Sequence, residues 1–336
     1  MLVILLEVYK LSKDVKREID IIDLKVAFGD FYALKGVSFF ANKREFLGII
    51  GASGAGKTTV LRVLTGQISP TAGDAYVGGY DVTKKRDLIS LLVGYVPQLE
   101  HLSLYYDFTP LQNAQFFGRC FGMRPPEIEE RSRNILAILG FDEELMTKAV
   151  KKLSGGERKR VSICLGMIHD PPVLLLDEPT TGLDAHLRHE TLNYLKSLNY
   201  ELGTTMVIIS HDLEIVDYCS RVCLLEAGYV SQFGTPADLI STLPGKGESL
   251  RVTLPKMRQE AVAMIDQLPG VEYTSRAGRN ALKIFIDNPE KHLLTLISSL
   301  NEMKIPFDEV SLVESDFFDY FAVKPWKQKS TGGTKK

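Results

Sequence analysis

The chain has 336 residues, 45% of them hydrophobic, which is enough for one large domain and a smaller one, each with its own core. Its formal net charge of −2 gives no reason to expect a nucleic-acid partner, because binding to phosphate backbones requires a clustered positive excess. No apolar run approaches the roughly 20 residues that a membrane-spanning helix needs, so any membrane role is expected to depend on a partner chain.

Short apolar runs at 46–50, 173–176, 206–210 and 222–225 alternate with helical stretches. This alternation predicts an α/β fold with a largely parallel, buried sheet. Residues 102–170 are rich in apolar positions at helical spacing and are predicted to form a helical insertion. The four cysteines match no zinc or redox spacing, so we interpret them as core thiols in a reducing compartment; they are Cys120, Cys164, Cys219 and Cys223.

A glycine-rich loop, GASGAGKTT, directly follows the run at 46–50 and precedes an amphipathic helix. It fits the pattern G-x-x-x-x-G-K-[ST] in the context that the pattern requires, which argues against a glycine-rich turn without a ligand. Backbone N–H groups would surround a phosphate, Lys57 would contact the β- and γ-phosphates, and the Thr58 hydroxyl suits Mg²⁺. The nucleotide-binding residues predicted here are Gly51, Ser53, Gly54, Gly56, Lys57, Thr58 and Thr59.

A second apolar run ends in two carboxylates, in LLLDEPTTGLD. A buried strand with this ending directs them beyond the carboxyl edge of the sheet, where α/β proteins bind ligands. Asp177 is predicted to hold Mg²⁺, directly or through water, and Glu178 to act as general base on the attacking water. The alternative, an acidic strand end that merely faces solvent, does not explain why it accompanies a phosphate loop.

The stretch LSGGE places Ser154, Gly155 and Gly156 at the start of a predicted helix, and a helix start is a potential anion site. It lies 97 residues after Lys57 and 23 before Asp177. The three motifs in this order strongly resemble the nucleotide-binding domain of ATP-binding cassette (ABC) proteins, over about residues 18–241. The resemblance implies a P-loop NTPase cassette with a helical subdomain at about 102–170.

In this family two cassettes pair head to tail, and the LSGGE signature of one closes over the γ-phosphate bound by the other. The resemblance therefore implies a second cassette as partner, a homodimer being expected. Position by position, it assigns Gln98 in GYVPQ to the Q-loop, which touches Mg²⁺ or the attacking water. It assigns Asp184 to the D-loop and His211 to the switch histidine that contacts the γ-phosphate; a lone histidine after a strand could also be structural.

The family usually carries an aromatic residue before the phosphate loop that stacks on adenine, and Phe28 stands at the matching position. We favour Phe28 over its neighbour Tyr32, because a phenyl face is sufficient for stacking. Two stretches, 4–13 and 19–29, resemble the family's first strand. The second is continuous with the segment that leads to the phosphate loop, so residues 1–17 are interpreted as an N-terminal extension.

Residues 242–249 concentrate Pro, Gly, Ser and Thr and are predicted to be a linker. The region 250–323 then shows the order strand, helix, strand, strand, helix, strand, which predicts a small α+β domain of the ferredoxin-like type. Residues 324–336 contain five lysines and no acid and are predicted to be a disordered basic tail, with contact to an anionic membrane as the alternative.

The spacing leaves no room for the coiled-coil insertions of chromosome-maintenance ATPases, and one cassette is too few for a translation-factor ATPase. The resemblance therefore favours an ATP- and Mg²⁺-dependent ATPase that energises an exporter. Its partner would be a polytopic membrane subunit on a separate chain, at the cytoplasmic face of the membrane. The second hypothesis is a soluble regulatory ATPase whose C-terminal domain senses a ligand or dimerises.

Overall fold

The computed structural model describes residues 16–323 and divides into two compact units with their boundary between Phe233 and Gly234. The predicted tail and all but the last two residues of the predicted N-terminal extension lie outside the described residues. The strand expected at 19–29 is present as Arg17–Phe28.

The first unit carries ten described strands, which are β1 (Arg17–Phe28), β2 (Phe31–Asn42), β3 (Phe46–Ile50), β4 (Ala72–Val77), β5 (Tyr80–Asp81), β6 (Val93–Val96), β7 (Val173–Asp177), β8 (Thr205–Ser210), β9 (Arg221–Glu226) and β10 (Tyr229–Gly234). Its α-helices in the described residues are α1 (Lys57–Leu64), α2 (Arg86–Leu92), α3 (Pro110–Cys120), α4 (Pro125–Ile138), α5 (Glu143–Thr147), α6 (Gly155–Gly166) and α7 (Ala185–Leu202). Three 3-10 helices connect them at Glu100–Leu102, Val150–Lys152 and Leu213–Tyr218.

The central sheet has the strand order β10-β9-β3-β8-β7-β6, and the neighbours from β9 to β6 are parallel. β3, β7 and β8 are buried along their whole length, which explains why they appear in the sequence as continuous apolar runs. The predicted α/β fold with a parallel, buried sheet is confirmed. Because parallel strands end at the same edge, the residues after β3, β7 and β8 lie side by side.

A second sheet, in the order β2-β1-β4-β5, is antiparallel. One apolar cluster packs it against α1 and the central sheet; Leu24 of β1, Leu61 of α1 and Ile49 of β3 are all fully buried within it. Burial of each such side chain contributes about 1.5–3 kcal/mol. This shared core fixes α1, and with it the phosphate loop, against the end of β3.

The segment 102–170, expected to be helical, holds α3 to α6. Helix starts follow from local sequence. Thr109 and Gln112 form a capping box before α3, which has a proline at its first position. At the other end of α7, Gly203 with φ 66° terminates the helix in the left-handed conformation that glycine adopts without strain.

The second unit has the elements α8 (Pro236–Ile240), β11 (Glu248–Thr253), α9 (Gln259–Asp266), β12 (Val271–Arg276), β13 (Ala281–Ile286), α10 (Pro289–Glu302), β14 (Glu309–Glu314) and a final helix at 317–323. Its sheet is antiparallel with the order β12-β13-β11-β14. A separate apolar cluster, including Leu250, Ile284 and Leu300, forms its core with α9 and α10. Lys283 donates to Asp319 at 2.6 Å and so ties the final helix to β13.

The predicted linker 242–249 is corrected by the structure. Leu243, Pro244 and Gly245 are buried, Pro244–Gly247 form a 3-10 helix, and β11 begins at Glu248. The 3-10 helix contacts α8, β11 and β13, so the segment belongs to the second unit. Its prolines and glycines serve a tight turn, in which Gly245 has φ 75°, rather than a flexible connection.

Three of the four cysteines are buried, as predicted, but Cys120 is exposed at the end of α3. Burial raises the pKa of the Cys164 thiol to about 12 and raises the pKa values of Cys219 and Cys223 further. Among residues 16–323, none of the helices is both long and apolar enough to cross a bilayer.

Candidate nucleotide site

The phosphate loop connects the end of β3 to the start of α1. Gly56 precedes α1 with φ 104°, no side chain caps the helix, and its first turn holds no acid. The first N–H groups of α1 therefore remain free for an anion. A Cβ at Gly51 would lie 2.2 Å from the Leu225 carbonyl oxygen, and one at Gly56 would lie 2.8 Å from that of Ala33. The motif glycines at these two positions are required by the limited space around them.

Lys57 directly follows this loop as the first residue of α1, and 8% of its side chain is exposed. Its Nζ donates to the carbonyl oxygens of Gly51 at 2.7 Å and Ala52 at 3.2 Å. It also lies 3.6 Å from Oε1 of Glu178, whose side chain is 11% exposed. The lysine is therefore folded back on its own loop and paired with the carboxylate across the site.

Glu178 follows β7 and has a left-handed backbone with φ 48°. This conformation is strained for a non-glycine residue, and such strain concentrates at functional sites. Its Oε2 accepts from Thr181 Oγ1 at 3.1 Å and lies 2.9 Å from His211 Nδ1. β7 and β8 are parallel neighbours, with Asp177 opposite Ile209, so residues 33 positions apart meet at one edge.

Asp177, the last residue of β7, is directed differently. Its Oδ2 accepts from the Tyr95 hydroxyl of β6 at 3.2 Å. Burial raises the pKa of this carboxyl, and the nearby Tyr95 hydroxyl partly opposes the shift. Burial and the Asp177 carboxylate together raise the pKa of Tyr95 to about 12, so the tyrosine stays a neutral donor at physiological pH.

These elements enclose a cavity of about 730 Å³. Of the predicted site residues, the structure brings ten into its wall: Phe28, Ser53, Gly54, Gly56, Lys57, Thr58, Thr59, Gln98, Glu178 and His211. Gly51, which follows β3, and Asp177, the last residue of β7, are not part of the described lining. Tyr32, considered as an alternative to Phe28, is not part of the described lining.

The signature residues are placed elsewhere. Ser154 caps α6, accepting from Glu157 N at 3.2 Å, while Glu157 Oε2 accepts from Ser154 N at 2.7 Å. Ser154 and Gly155 are exposed and Gly156 is buried. Asp184 is exposed and caps α7 by accepting from Leu187 N at 3.0 Å. None of these four predicted residues is part of the described lining of the cavity.

Sequence reasoning missed several contributors. Phe31 and Ala33 line the cavity from β2, where Phe31 pairs with Phe28 across the hairpin. The alternation of residues 31 and 33 on one strand face was a usable signal. No sequence pattern pointed to the contact of Tyr95 with Asp177, or to that of Thr181 with Glu178, because each depends on where separate elements pack.

Comparison with known proteins agrees with this geometry. A family profile described as "ABC transporter" matches residues 34–181. The linearmycin resistance ATP-binding protein LnrL of Bacillus subtilis is 34% identical over 224 residues, covering 66% of this chain and 71% of that protein. The Nod factor export ATP-binding protein I of Paraburkholderia xenovorans is 33% identical over 271 residues, covering 80% and 86%.

Solved structures are similar too. CbiO1 of Clostridium perfringens, part of an ABC transporter complex, has a TM-score of 0.64 at 29% identity, covering 68% of this chain and 92% of that one. The ATP-binding cassette MJ0796, solved as a dimer in a post-hydrolysis state with ADP and Pi, has a TM-score of 0.57 at 27% identity, covering 65% and 98%. With the phosphate loop, the paired Lys57 and Glu178 and these relatives, the chain belongs to the ABC transporter family of ATP-binding proteins, and its first unit is a P-loop ABC ATPase cassette.

Proposed function

We propose that this ATPase energises an exporter, working as an ATP-driven dimer of cassettes bound to a separate membrane subunit. The observation that carries the proposal is the Lys57–Glu178–His211 cluster in the wall of the phosphate-loop cavity, where the start of α1 meets the ends of β7 and β8. It combines a cation for phosphate with a carboxylate that can accept a proton from water.

Binding would begin with the phosphates on the free N–H groups of α1. Lys57 would exchange its present acceptors, the Gly51 and Ala52 carbonyls, for phosphate oxygens. Its 3.6 Å contact with Glu178 would weaken at the same time, leaving the carboxylate available to a water molecule. Phe28 would stack on adenine, because its exposed ring lines the same cavity.

In hydrolysis, Glu178 would accept a proton from the water that attacks the γ-phosphorus, and the bond from that phosphorus to the bridging oxygen would break to leave ADP and phosphate. Gln98 would orient the water, and His211 would contact the γ-phosphate. His211 Nδ1 lies 2.9 Å from Glu178 Oε2. This contact supports a shared role for His211 and Glu178, because both side chains would reach the same γ-phosphate.

We propose Thr58, Gln98 and Asp177 as the Mg²⁺ ligands, the ion serving to neutralise phosphate charge. The residues fit: Thr58 and Gln98 both line the cavity, and their side chains carry hard oxygen donors. One oxygen of Asp177 accepts a hydrogen bond from Tyr95. Its other oxygen would bind the ion, directly or through water. The described residues hold no cluster of three or more acidic, His or Cys side chains that could bind a metal without the phosphates.

Ser154, Gly155, Gly156 and Asp184 are proposed to act on the second cassette. Ser154 accepts from Glu157 N, which leaves its hydroxyl hydrogen free to donate to a γ-phosphate held by another chain. The exposure of Ser154, Gly155 and Asp184 supports a contact that this chain does not complete alone. A solved relative, MJ0796, is dimeric, which supports the same arrangement.

The helical region is proposed to dock on the membrane subunit, which would place the protein at the cytoplasmic face of the membrane. Support comes from a cluster of exposed aromatic rings on and before α3, with Tyr105 and Phe116 centroids 4.8 Å apart. Beside them a hollow of about 500 Å³ includes Phe108, Phe116 and Arg119. Relatives named for Nod factor export and linearmycin resistance favour an exporter over a soluble regulator.

For the second unit we propose a ferredoxin-like α+β domain. The strand order β12-β13-β11-β14, antiparallel throughout and with two helices in the connections, supports this class.

The membrane claim is tested by affinity purification of the tagged chain from detergent-solubilised membranes. We expect a polytopic membrane protein to co-purify with the wild type and to be lost with Phe116→Glu, while the basal ATPase rate is unchanged. Tyr200→Glu is the matched control, because Tyr200 is an aromatic residue on α7 and is 88% exposed. Recovery of the wild-type chain with no membrane protein, as a soluble complex, would contradict the proposal.

A further inference from the structure

Lys159 lies in the second turn of α6, the helix that starts at the signature, and its side chain is 0% exposed. None of the nucleotide-site motifs includes it. We propose that Lys159 is a positioning residue for ATP hydrolysis: it fixes the Gln98 backbone to the signature helix and so sets where the Gln98 side chain stands in the nucleotide cavity.

Three acceptors surround the buried ammonium. Nζ lies 2.8 Å from the Gln98 carbonyl oxygen, 3.0 Å from Glu100 Oε1 and 3.4 Å from the Pro97 carbonyl oxygen. A lysine has three N–H donors and no acceptor, so this set uses its whole capacity. All three partners belong to the short stretch that leaves β6, so the cation attaches that stretch to α6.

A second contact repeats the attachment along the same helix. Ser162, three residues after Lys159 and 1% exposed, lies 2.8 Å from Ser103 through the two hydroxyl oxygens. Positions three apart lie on one helix face. α6 therefore holds the segment 97–103 at both of its ends. The charged contact of Lys159 is at the end that contains Gln98, which lines the nucleotide cavity.

The position of Gln98 gives this attachment its consequence. Gln98 is a lining residue of the nucleotide cavity, while its own carbonyl is held by Lys159. The same helix carries Ser154 at its start. The groups that we propose to act on the water and on a neighbour's γ-phosphate are thus joined through one buried cation. The role of Lys159 therefore rests on the proposed role of Gln98.

A structural role alone accounts poorly for the choice of residue. A buried ammonium is costly unless it is paired and hydrogen-bonded, and an apolar side chain of similar length would often stabilise such a site at least as well. A methionine would lack directional contact with the Pro97 and Gln98 carbonyls. The cation therefore contributes geometry, which matters where a displacement of about 1 Å costs up to a hundredfold in rate.

The test is a double-mutant cycle with Lys159→Met and Gln98→Ala, measured as steady-state ATPase rates over a range of ATP concentrations. Lys159→Met should lower kcat about tenfold or more. The KM for ATP should stay within about twofold of the wild-type value, because the proposed contacts of Lys57 with the phosphates and of Phe28 with adenine are unchanged. The double variant should be no slower than Gln98→Ala alone, since Lys159 acts through Gln98.

Arg160→Met is the matched control. Arg160 is the next residue of α6 and is also buried, but its Nη1 donates to the Leu139 carbonyl at 2.9 Å instead of to the stretch that Lys159 holds. Arg160→Met should leave kcat unchanged, because none of the described polar contacts of Arg160 involves residues 97–103. If Lys159→Met does not fold, Glu100→Gln removes only the carboxylate's charge at a partly exposed position and should lower kcat severalfold.

Three outcomes overturn the proposal: an unchanged kcat in Lys159→Met and Glu100→Gln while Gln98→Ala is impaired, equal loss of kcat in Arg160→Met, or losses that add in the double variant. A Gln98→Ala variant with wild-type kcat would instead refute the role of Gln98 itself. The two failures are therefore distinguishable in one experiment.

Discussion

Two helices of the cassette begin at glycine-rich turns, and their first turns differ in charge and capping. α1 follows Gly56, has no side-chain cap and carries no acid in its first turn. α6 follows Ser154, is closed by a capping box with Glu157 and so carries a carboxylate where an anion would approach. The start of α1 is open to phosphate, whereas that of α6 is already partly satisfied by its own chain.

The difference orders the two events of the cycle. We propose that α1, which begins with Lys57, holds a nucleotide within a single chain, because its start lines a cavity of this chain. α6 has weaker attraction for a free anion, so we expect it to engage only a phosphate that another chain already presents. Nucleotide binding should therefore precede dimerisation, and substitutions at either helix should affect one event more than the other.

The largest effect is expected for Glu178→Gln. Loss of the proposed general base should lower kcat about a thousandfold, while ATP should still bind at the start of α1. Phosphate release measures the rate, and Glu201→Gln, an exposed glutamate on α7, is the control. Turnover at the wild-type rate would show that another group accepts the proton.

Lys57→Ala acts on the α1 side. Losing a charged donor to two phosphates should weaken ATP binding about a hundredfold, measured by isothermal titration calorimetry. Lys84→Ala, which removes a lysine that is 76% exposed, should leave the affinity unchanged. Equal losses from the two variants would mean that general charge, rather than the phosphate loop, attracts ATP.

Phe28→Ala tests whether the adenine of ATP binds in the same cavity as the phosphates. Loss of a stacking ring should weaken ATP binding about tenfold with little effect on kcat. Tyr32→Ala, at the residue outside the described lining, should change the affinity little. If Phe31→Ala has the larger effect, adenine stacks on β2 rather than on the end of β1.

Glu157→Gln gives the smallest effect and makes α6 more like α1. Glutamine keeps an oxygen for the Ser154 N–H but removes the negative charge from the first turn. We expect ATP-driven dimers to form about two- to fivefold more tightly, by analytical ultracentrifugation. Weaker dimers would indicate that the charge of Glu157 itself contacts the partner.

Much of the site could be predicted because the motifs sit at strand ends. Lys57, Glu178 and His211 follow parallel neighbours of one sheet, so topology alone brings them together. Tyr95 and Lys159 could not be found in this way. Each reaches a partner far along the chain, at separations of 82 and 61 residues, through packing that no local pattern encodes.

In the second unit, periodicity was informative and composition was not. The order of its strands and helices was predicted, because short apolar runs and stretches with helical spacing follow one another along the chain. The prediction of a flexible linker at 242–249 was wrong, because a Pro-Gly turn has the same sequence composition whether it is exposed or packed against β13.

Cys120, in the first unit, shows a related limit. Helical spacing predicts a helix at α3 but does not predict which of its faces is buried.

The central claim is that the signature of one chain completes the nucleotide site of another. The direct measurement is sedimentation of Glu178→Gln with and without ATP and Mg²⁺, alone and combined with Ser154→Arg. The account predicts an ATP-dependent dimer for Glu178→Gln. When Ser154→Arg is added, it predicts a monomer whose affinity for ATP stays within about twofold of that of the Glu178→Gln monomer. A dimer that persists with Ser154→Arg, or a loss of ATP binding by the monomer, would contradict it.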